Sequence, residues 1–250
     1  MKGNSSHPLR WGLVLSVGGL MLSLTAAQQH PIARTINALM DSVLTDAQKR
    51  LPENALKTLK ASHELEVRTF ATEPMLQNPT NMDIDERGRV WITEAYNYRP
   101  AINGNPTTDK GDRIIILEDT NGDGKADVQK VWYQGPELNA PLGILVLGNK
   151  AIVSQSPYVW LFEDTDGDDK ADKKTIIFQG IEGEQHDHGM HTFVFGPDGK
   201  FYFNFGNEGK QLKDAQGNLI KDQFGNPIQT GNKSKLKQGV ASAVMPISRM

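Results

Sequence analysis

A chain of 250 residues with 38% hydrophobic and 23% charged residues can bury a sizeable core, and its 24 glycines and 13 prolines favour a turn-rich β protein over a helical one. The net charge of −3 becomes −5 once the first 27 residues, with Lys2 and Arg10 and no acid, are set aside, leaving 25 basic against 30 acidic side chains; that balance argues against nucleic acid as a partner. With no cysteine, the chain itself holds no disulfide framework, thiolate metal site or Cys-linked haem.

The first predicted element is a secretory signal peptide over residues 1–27. Lys2 and Arg10 precede an apolar run from Trp11 to Leu24, and the small residues Thr25, Ala26 and Ala27 form a cleavage site. An uncleaved membrane anchor is the competing reading, although the run is short for a spanning helix. Either way the remainder is expected to be exported, to a periplasm or the extracellular space. A helical lead-in follows over residues 28–63, with Ile36, Leu39, Met40, Val43 and Leu44 at helical spacing and a break at Pro52 before Leu56 and Leu59. From Glu64 the period changes to two, with Leu65, Val67 and Thr69 alternating with polar residues.

Beyond that point the chain repeats itself. Thr80 to Glu94, Leu142 to Gln155 and Thr192 to Asn204 share one plan: an alternating strand, a turn around Gly88, Gly148 or Gly199, and a second strand. Each of the first two units is followed by another strand pair. Arg113 to Gly135 (RIIILEDTNGDGKADVQKVWYQG) and Tyr158 to Gly180 (YVWLFEDTDGDDKADKKTIIFQG) align at an offset of 45 positions. Four strands in roughly 40 to 50 residues make a β-propeller blade. The predicted fold is therefore all-β, a partial propeller over residues 64–235 with about two and a half blades, and the chain is expected to stop inside its own domain, because propellers close a ring to hide their sheet edges. Asp214 to Gly231 reads as a polar, Gly-rich insertion. Residues 236–250 read as an out-of-pattern tail.

The two Asp-rich turns carry the strongest local motif. Asp119, Asn121, Asp123 and Asp127, with the Lys125 carbonyl, occupy positions 1, 3, 5, 9 and 7 of a calcium loop, with Gly124 at the sharp turn of position 6. The second copy supplies Asp164, Asp166, Asp168 and Asp172 with the Lys170 carbonyl, and places Asp169 where the glycine would be. Lys130 and Thr175 stand where an EF-hand has its bidentate Glu, so neither loop is a standard EF-hand. Hard oxygen ligands at alternate positions can converge on calcium in a structural role. The alternative is a solvated hairpin in which Asp and Asn favour turn geometry.

The stretch HDHGMHTFVFGPDGKFYFNFGNEG, residues 186–209, places three histidines and an acid at the mouth of a hairpin. A neutral imidazole near pH 7 can accept the proton of an alcohol while a redox cofactor takes hydride from the carbon. Solvated loop histidines and a transition-metal site made by His186, His188 and His191 remain alternatives.

A histidine eight residues before Gly-Pro-Asp-Gly, followed by an aromatic strand ending in Gly-Asn-Glu-Gly, resembles the active-site blade of the soluble quinoprotein glucose/sorbosone dehydrogenases. The resemblance implies His188 as general base beside pyrroloquinoline quinone, with His186, Asp187, His191 and Asn207 lining the pocket. The run from Ala71 to Asp127 is also similar to exported propellers known as membrane-bound dehydrogenases, whose longer members carry a C-terminal CxxCH haem module. That likeness spans about Glu64 to Lys235 and implies a six-bladed fold, a sugar or other alcohol as substrate, and a c-type haem module outside this chain as electron acceptor. The basic residues that hold the quinone in such relatives belong to later blades, so this stretch of chain by itself is expected to be inactive. A non-catalytic, calcium-stabilised propeller that binds carbohydrate or a protein partner is the rival function.

Overall fold

The computed structural model describes residues 44–49, 51–99, 104, 106–181, 188–206, 210–221, 224–229 and 245–246. The signal peptide, residues 28–43 and 50 of the lead-in, His186, Asp187, Asn207 and most of the tail lie outside these residues. The chain divides into two compact units, Met1–Thr69 and Phe70–Met250.

In the first unit, helix α1 (Asp46–Lys49) precedes α2 (Pro52–Ala55), which runs into a 3-10 turn at Leu56–Thr58. Pro52 therefore opens a helix as well as interrupting one, because the first helical position has no use for its missing N–H. The alternating Leu65, Val67 and Thr69 form no strand. Leu65 and Val67 are exposed, and no partner strand borders them among the described residues. Among the described residues no helix is long and apolar enough to cross a membrane.

The second unit is built of three antiparallel sheets, a partial β-propeller. Strands β1 (Pro79–Ile84), β2 (Val90–Glu94), β3 (Arg113–Glu118) and β4 (Val128–Gln134) pair in chain order as the first blade. In the second blade, β5 (Gly143–Leu147), β6 (Lys150–Gln155), β7 (Tyr158–Glu163) and β8 (Lys173–Gln179) repeat the order. A short β11 (Lys213–Asp214) pairs with β8 as a fifth strand. The third sheet holds β9 (Met190–Phe195) and β10 (Lys200–Phe205), with β12 (Met245–Pro246) beside β10. Three of the turns expected from sequence fall at glycines with φ of +79° (Gly88), +60° (Gly148) and +70° (Gly199), a left-handed conformation that only glycine adopts without strain. The polar 214–231 stretch is not structureless: bridges Lys213–Leu219, Lys221–Pro227 and Gln211–Gln229 fold it back on itself and bury Leu212 and Ile228.

Alternation decides where the core lies. Along β3, Ile114 and Ile116 join Trp91, Trp132, Val153 and Phe162 in the layer between the first two sheets, while Ile115 and Leu117 pack on Phe70, Met75 and Leu76. Trp91 meets Trp132 edge-on at 4.8 Å between ring centroids, and Trp132 meets Phe162 at 6.5 Å. Phe193, Phe201, Phe203 and Phe205 of the third sheet pack with Ile152, Val159 and Phe178 of the second. Each such fully buried side chain contributes roughly 1.5–3 kcal/mol relative to exposure.

Strands β1, β5 and β9 lead their sheets and run in the same direction. Thr80 Oγ1 donates to Pro141 O at 2.6 Å, and three residues further on Val146 N–H donates to Asp83 Oδ2 at 2.7 Å. The carboxamide of Asn81 donates both to Leu142 O (3.1 Å) and to His191 O (3.0 Å), joining all three blades at one point. One face of the unit thus collects the entrances of β1, β5 and β9 together with the β2–β3 connection. The opposite face collects the Gly88, Gly148 and Gly199 hairpins and both Asp-rich turns.

Candidate functional site

His188 and His191 stand on the strand-entrance face, immediately before and just inside β9. Both are half-buried. Their backbone is fixed from three sides. A Cβ at Gly206 would meet the His188 carbonyl oxygen at 2.0 Å, and one at Gly143 would meet the His191 carbonyl oxygen at 2.3 Å, so both glycines are needed for close approach. Ser154 Oγ donates to Met190 O at 2.6 Å, and Asn204 Oδ1 accepts the N–H groups of His191 and Thr192, each at 3.2 Å. The histidines expected from sequence are therefore carried by a rigid strand mouth. Their companions His186, Asp187 and Asn207 lie outside the described residues.

The two Asp-rich turns take the same path and differ in what they gather. Asp119 accepts N–H groups from Gly122 (2.7 Å), Asp123 (3.2 Å) and Gly124 (2.8 Å). These bonds, that of Gly124 foremost, hold its carboxyl below the usual carboxylate range against the opposing effect of burial. Asp127 instead accepts from the Thr120 hydroxyl and N–H, at 2.9–3.2 Å, and Asn121 and Asp123 cap N–H groups two residues on.

In the second turn Asp164 accepts from Gly167 and Asp169, and Asp172 from Thr165. Here carboxylate oxygens of Asp164, Asp166 and Asp172 lie within 4.8 Å of one another. Asp168 is not part of this group and pairs with Lys170 at 3.8 Å. Three hard oxygen donors within that distance of one another are of the kind that suits calcium.

Asp169 shows what the missing glycine is for. Its φ is +62°, the conformation that the glycine of the first loop adopts with φ +84° at Gly124. Its carboxylate crosses to the first blade, where it meets Arg89 Nη1 at 2.7 Å, Lys130 Nζ at 2.7 Å and Arg87 Nη2 at 3.6 Å. Arg89, only 8% exposed, also reaches Asp85 Oδ2 at 2.6 Å and Glu118 Oε1 at 3.4 Å, while Trp91 Nε1–H donates to Asp85 Oδ2 at 2.9 Å. Burial pushes the Asp169 carboxyl up, yet hydrogen bonds and charge from Arg89 and Lys130 outweigh it and hold the group at about 2. This network between blades was not anticipated from sequence. The one available signal was an Asp at a position calling for glycine.

A second unanticipated cluster lies on the strand-entrance face of the first blade. Glu94, at the end of β2, takes a two-pronged bond from Arg113 (Nη2 to Oε1, 2.9 Å) and the N–H of Gln77 at 2.7 Å. Buried Asp112 accepts N–H groups from Asn97 (2.9 Å) and Ala140 (2.6 Å). Burial first, and the Glu94 charge to a lesser degree, raise the Asp112 carboxyl above its ordinary value against the backbone donors of Ala140, Asn97 and Tyr96.

A family model described as a domain of unknown function, DUF7133, matches residues 51–241. No curated protein gives a match. Among solved structures, the chain is similar to the pyranose dehydrogenase PQQ domain from Coprinopsis cinerea in its holo form, at 16% identity and a TM-score of 0.41, covering 68% of this chain and 48% of that one. It is also similar to a Trichoderma reesei carbohydrate-active enzyme of family AA12. The calcium structure gives 15% identity and a TM-score of 0.43, over 64% of this chain and 42% of that one. The iodide structure gives 14% and 0.42, over 60% and 38%. The chain thus spans less than half the length of each.

Proposed function

This chain belongs to the DUF7133 family, and from that premise and the blade architecture we infer a dehydrogenase-type propeller domain that oxidises a sugar or another alcohol. The observation that carries the reading is His188, a half-buried imidazole at the mouth of an inner strand whose backbone is locked by Gly206. A group so placed can hold one orientation while taking the proton of an alcohol O–H. The motif around it, HGMHTFVFGPDG running into GNEG, supports the same role by its resemblance to quinoprotein dehydrogenases.

Toward a quinone-linked oxidation this chain supplies the base, while the residues that hold the quinone in the relatives it resembles belong to later blades. The His188 imidazole supplies the base that such oxidation needs, and His191, three residues further on, adds a second group able to orient the substrate. Pyrroloquinoline quinone, when bound, supplies the hydride acceptor. Calcium belongs to the opposite face, where Asp164, Asp166, Asp172 and the Lys170 carbonyl would hold it in a structural role.

The test is dye-coupled oxidation of a panel of sugars and polyols by the full-length protein loaded with calcium and pyrroloquinoline quinone. Turnover is expected, and His188→Ala should lower kcat by about 10²- to 10⁴-fold, the usual contribution of a positioned base. A His188→Ala variant with full turnover would remove that residue from the mechanism. No turnover with any alcohol, together with no retained quinone absorbance, would overturn the enzyme reading.

A further inference from the structure

A half-open cavity of about 340 Å³ lies on the strand-entrance face, lined among others by Gln77, Glu94, Tyr96, Lys110, Asp112 and Arg113. Its wall is held in shape from outside. Gly111, at φ +80°, lies so close to the next turn that a Cβ there would meet the Gly135 carbonyl oxygen at 1.8 Å, and Gln134 Nε2 donates to Gly111 O at 3.0 Å. Asn97 ties the loop again, exchanging bonds with Thr108 at 2.8 and 2.9 Å. A second cavity of about 330 Å³ adjoins it and shares Gln77 and Tyr96.

We propose that this cavity is a binding site for a neutral polyhydroxylated ligand of monosaccharide size, separate from the histidine site. Three observations carry the assignment. First, its volume lies at the small end of the range typical of cavities that enclose organic ligands. Second, the polar groups divide into two sets. Glu94, Asp112 and Arg113 are locked by one another and by backbone N–H groups, and so keep fixed positions. The Gln77 amide, the Tyr96 hydroxyl and the Lys110 ammonium have no partner among the described residues and remain available to a ligand.

Third, the charges cancel. Glu94 and Asp112 face Arg113 and Lys110, two acids against two bases, so a ligand anion gains no net attraction. Hydroxyl groups, which both donate and accept, match a wall that offers amide, phenol and ammonium groups beside the paired carboxylates. The Tyr96 ring supplies apolar surface for the C–H face of a sugar ring.

The assignment stands or falls without any turnover assay. Calorimetric titration of the protein with D-glucose, D-galactose and sorbitol, and with gluconate as the charged comparator, should give dissociation constants on the order of millimolar for at least one neutral probe, as expected of a small ligand. Tyr96→Ala and Lys110→Ala should each weaken binding by about tenfold. The part of the binding that depends on Tyr96 and Lys110 should persist in His188→Ala. Because Tyr96→Ala could disturb the loop, Tyr96→Phe serves beside it: with an unaltered melting temperature it should still weaken binding by about threefold through loss of the phenol alone. Absence of binding by every neutral probe, tighter binding of gluconate, or binding abolished by His188→Ala and untouched by the Tyr96 and Lys110 changes would each overturn the proposal.

Discussion

At the scale of single residues, Asp169 has two opposed effects on stability. Its left-handed backbone costs roughly 1–2 kcal/mol for an ordinary L-residue, while its carboxylate satisfies a guanidinium that is almost wholly buried. Two substitutions separate them. Asp169→Ala loses the ion pairs and keeps the strain, and should cost about 2–4 kcal/mol in urea unfolding. Asp169→Gly loses the same pairs and relieves the backbone, so it should lie about 1 kcal/mol above the alanine variant. A glycine variant more stable than the parent would show that the pairs contribute nothing.

Asp85 gives the pH dependence. Burial raises its carboxyl, but the Trp91 indole N–H, the Arg89 backbone N–H and the Arg89 guanidinium together bring it below the ordinary value. A depressed carboxyl contributes stability that is complete above its unfolded pKa of about 4 and is lost as pH falls through the folded pKa. Acid unfolding followed by tryptophan fluorescence should therefore lose part of its slope below about pH 4 in Asp85→Asn. An unchanged acid limb would show that Asp85 is not a coupled group.

At the scale of elements, the hairpins were legible because strand alternation and turn glycines are written locally. Ile114 to Leu117 alternate between two apolar layers, and Gly88, Gly148 and Gly199 mark the turns that need positive φ. Leu65 to Thr69 show the reverse. Alternation describes what one strand would look like, yet a strand also needs a neighbour, and the five residues themselves cannot say whether one exists. The network of Arg89 and Asp169 was illegible for a related reason: it joins residues 80 apart through side chains that look like ordinary turn and surface charges.

The Asp-rich turns were legible as motifs and differ in geometry. Only the second, among the described residues, brings three carboxylates together. Chelating calcium should lower the melting temperature, since a ligand bound to the native state alone stabilises it. Asp166→Asn, which removes one of those carboxylate charges, should remove most of that response, and Asp123→Asn in the first turn less of it. An unaltered transition on chelation would count against calcium in both turns.

At the scale of the whole second unit, the blades pack through continuous apolar layers, and their leading strands are joined by side chains rather than by a backbone ladder. The Asn81 carboxamide is the extreme case, spanning 110 positions to His191. Seen in time, this bond belongs to the end of folding. Closing so long a loop is entropically unfavourable until the first two sheets are in place, so the carboxamide should find both its carbonyls only after the main barrier is crossed. Asn81→Ala is then expected to leave the refolding rate nearly unchanged and to speed unfolding by about 5- to 30-fold, the equivalent of about 1–2 kcal/mol; slowed refolding would place the contact in the nucleus instead. On this reading the strand mouth that carries His188 and His191 is the last part of the unit to reach its final position, and a newly made chain has its core before it has its site.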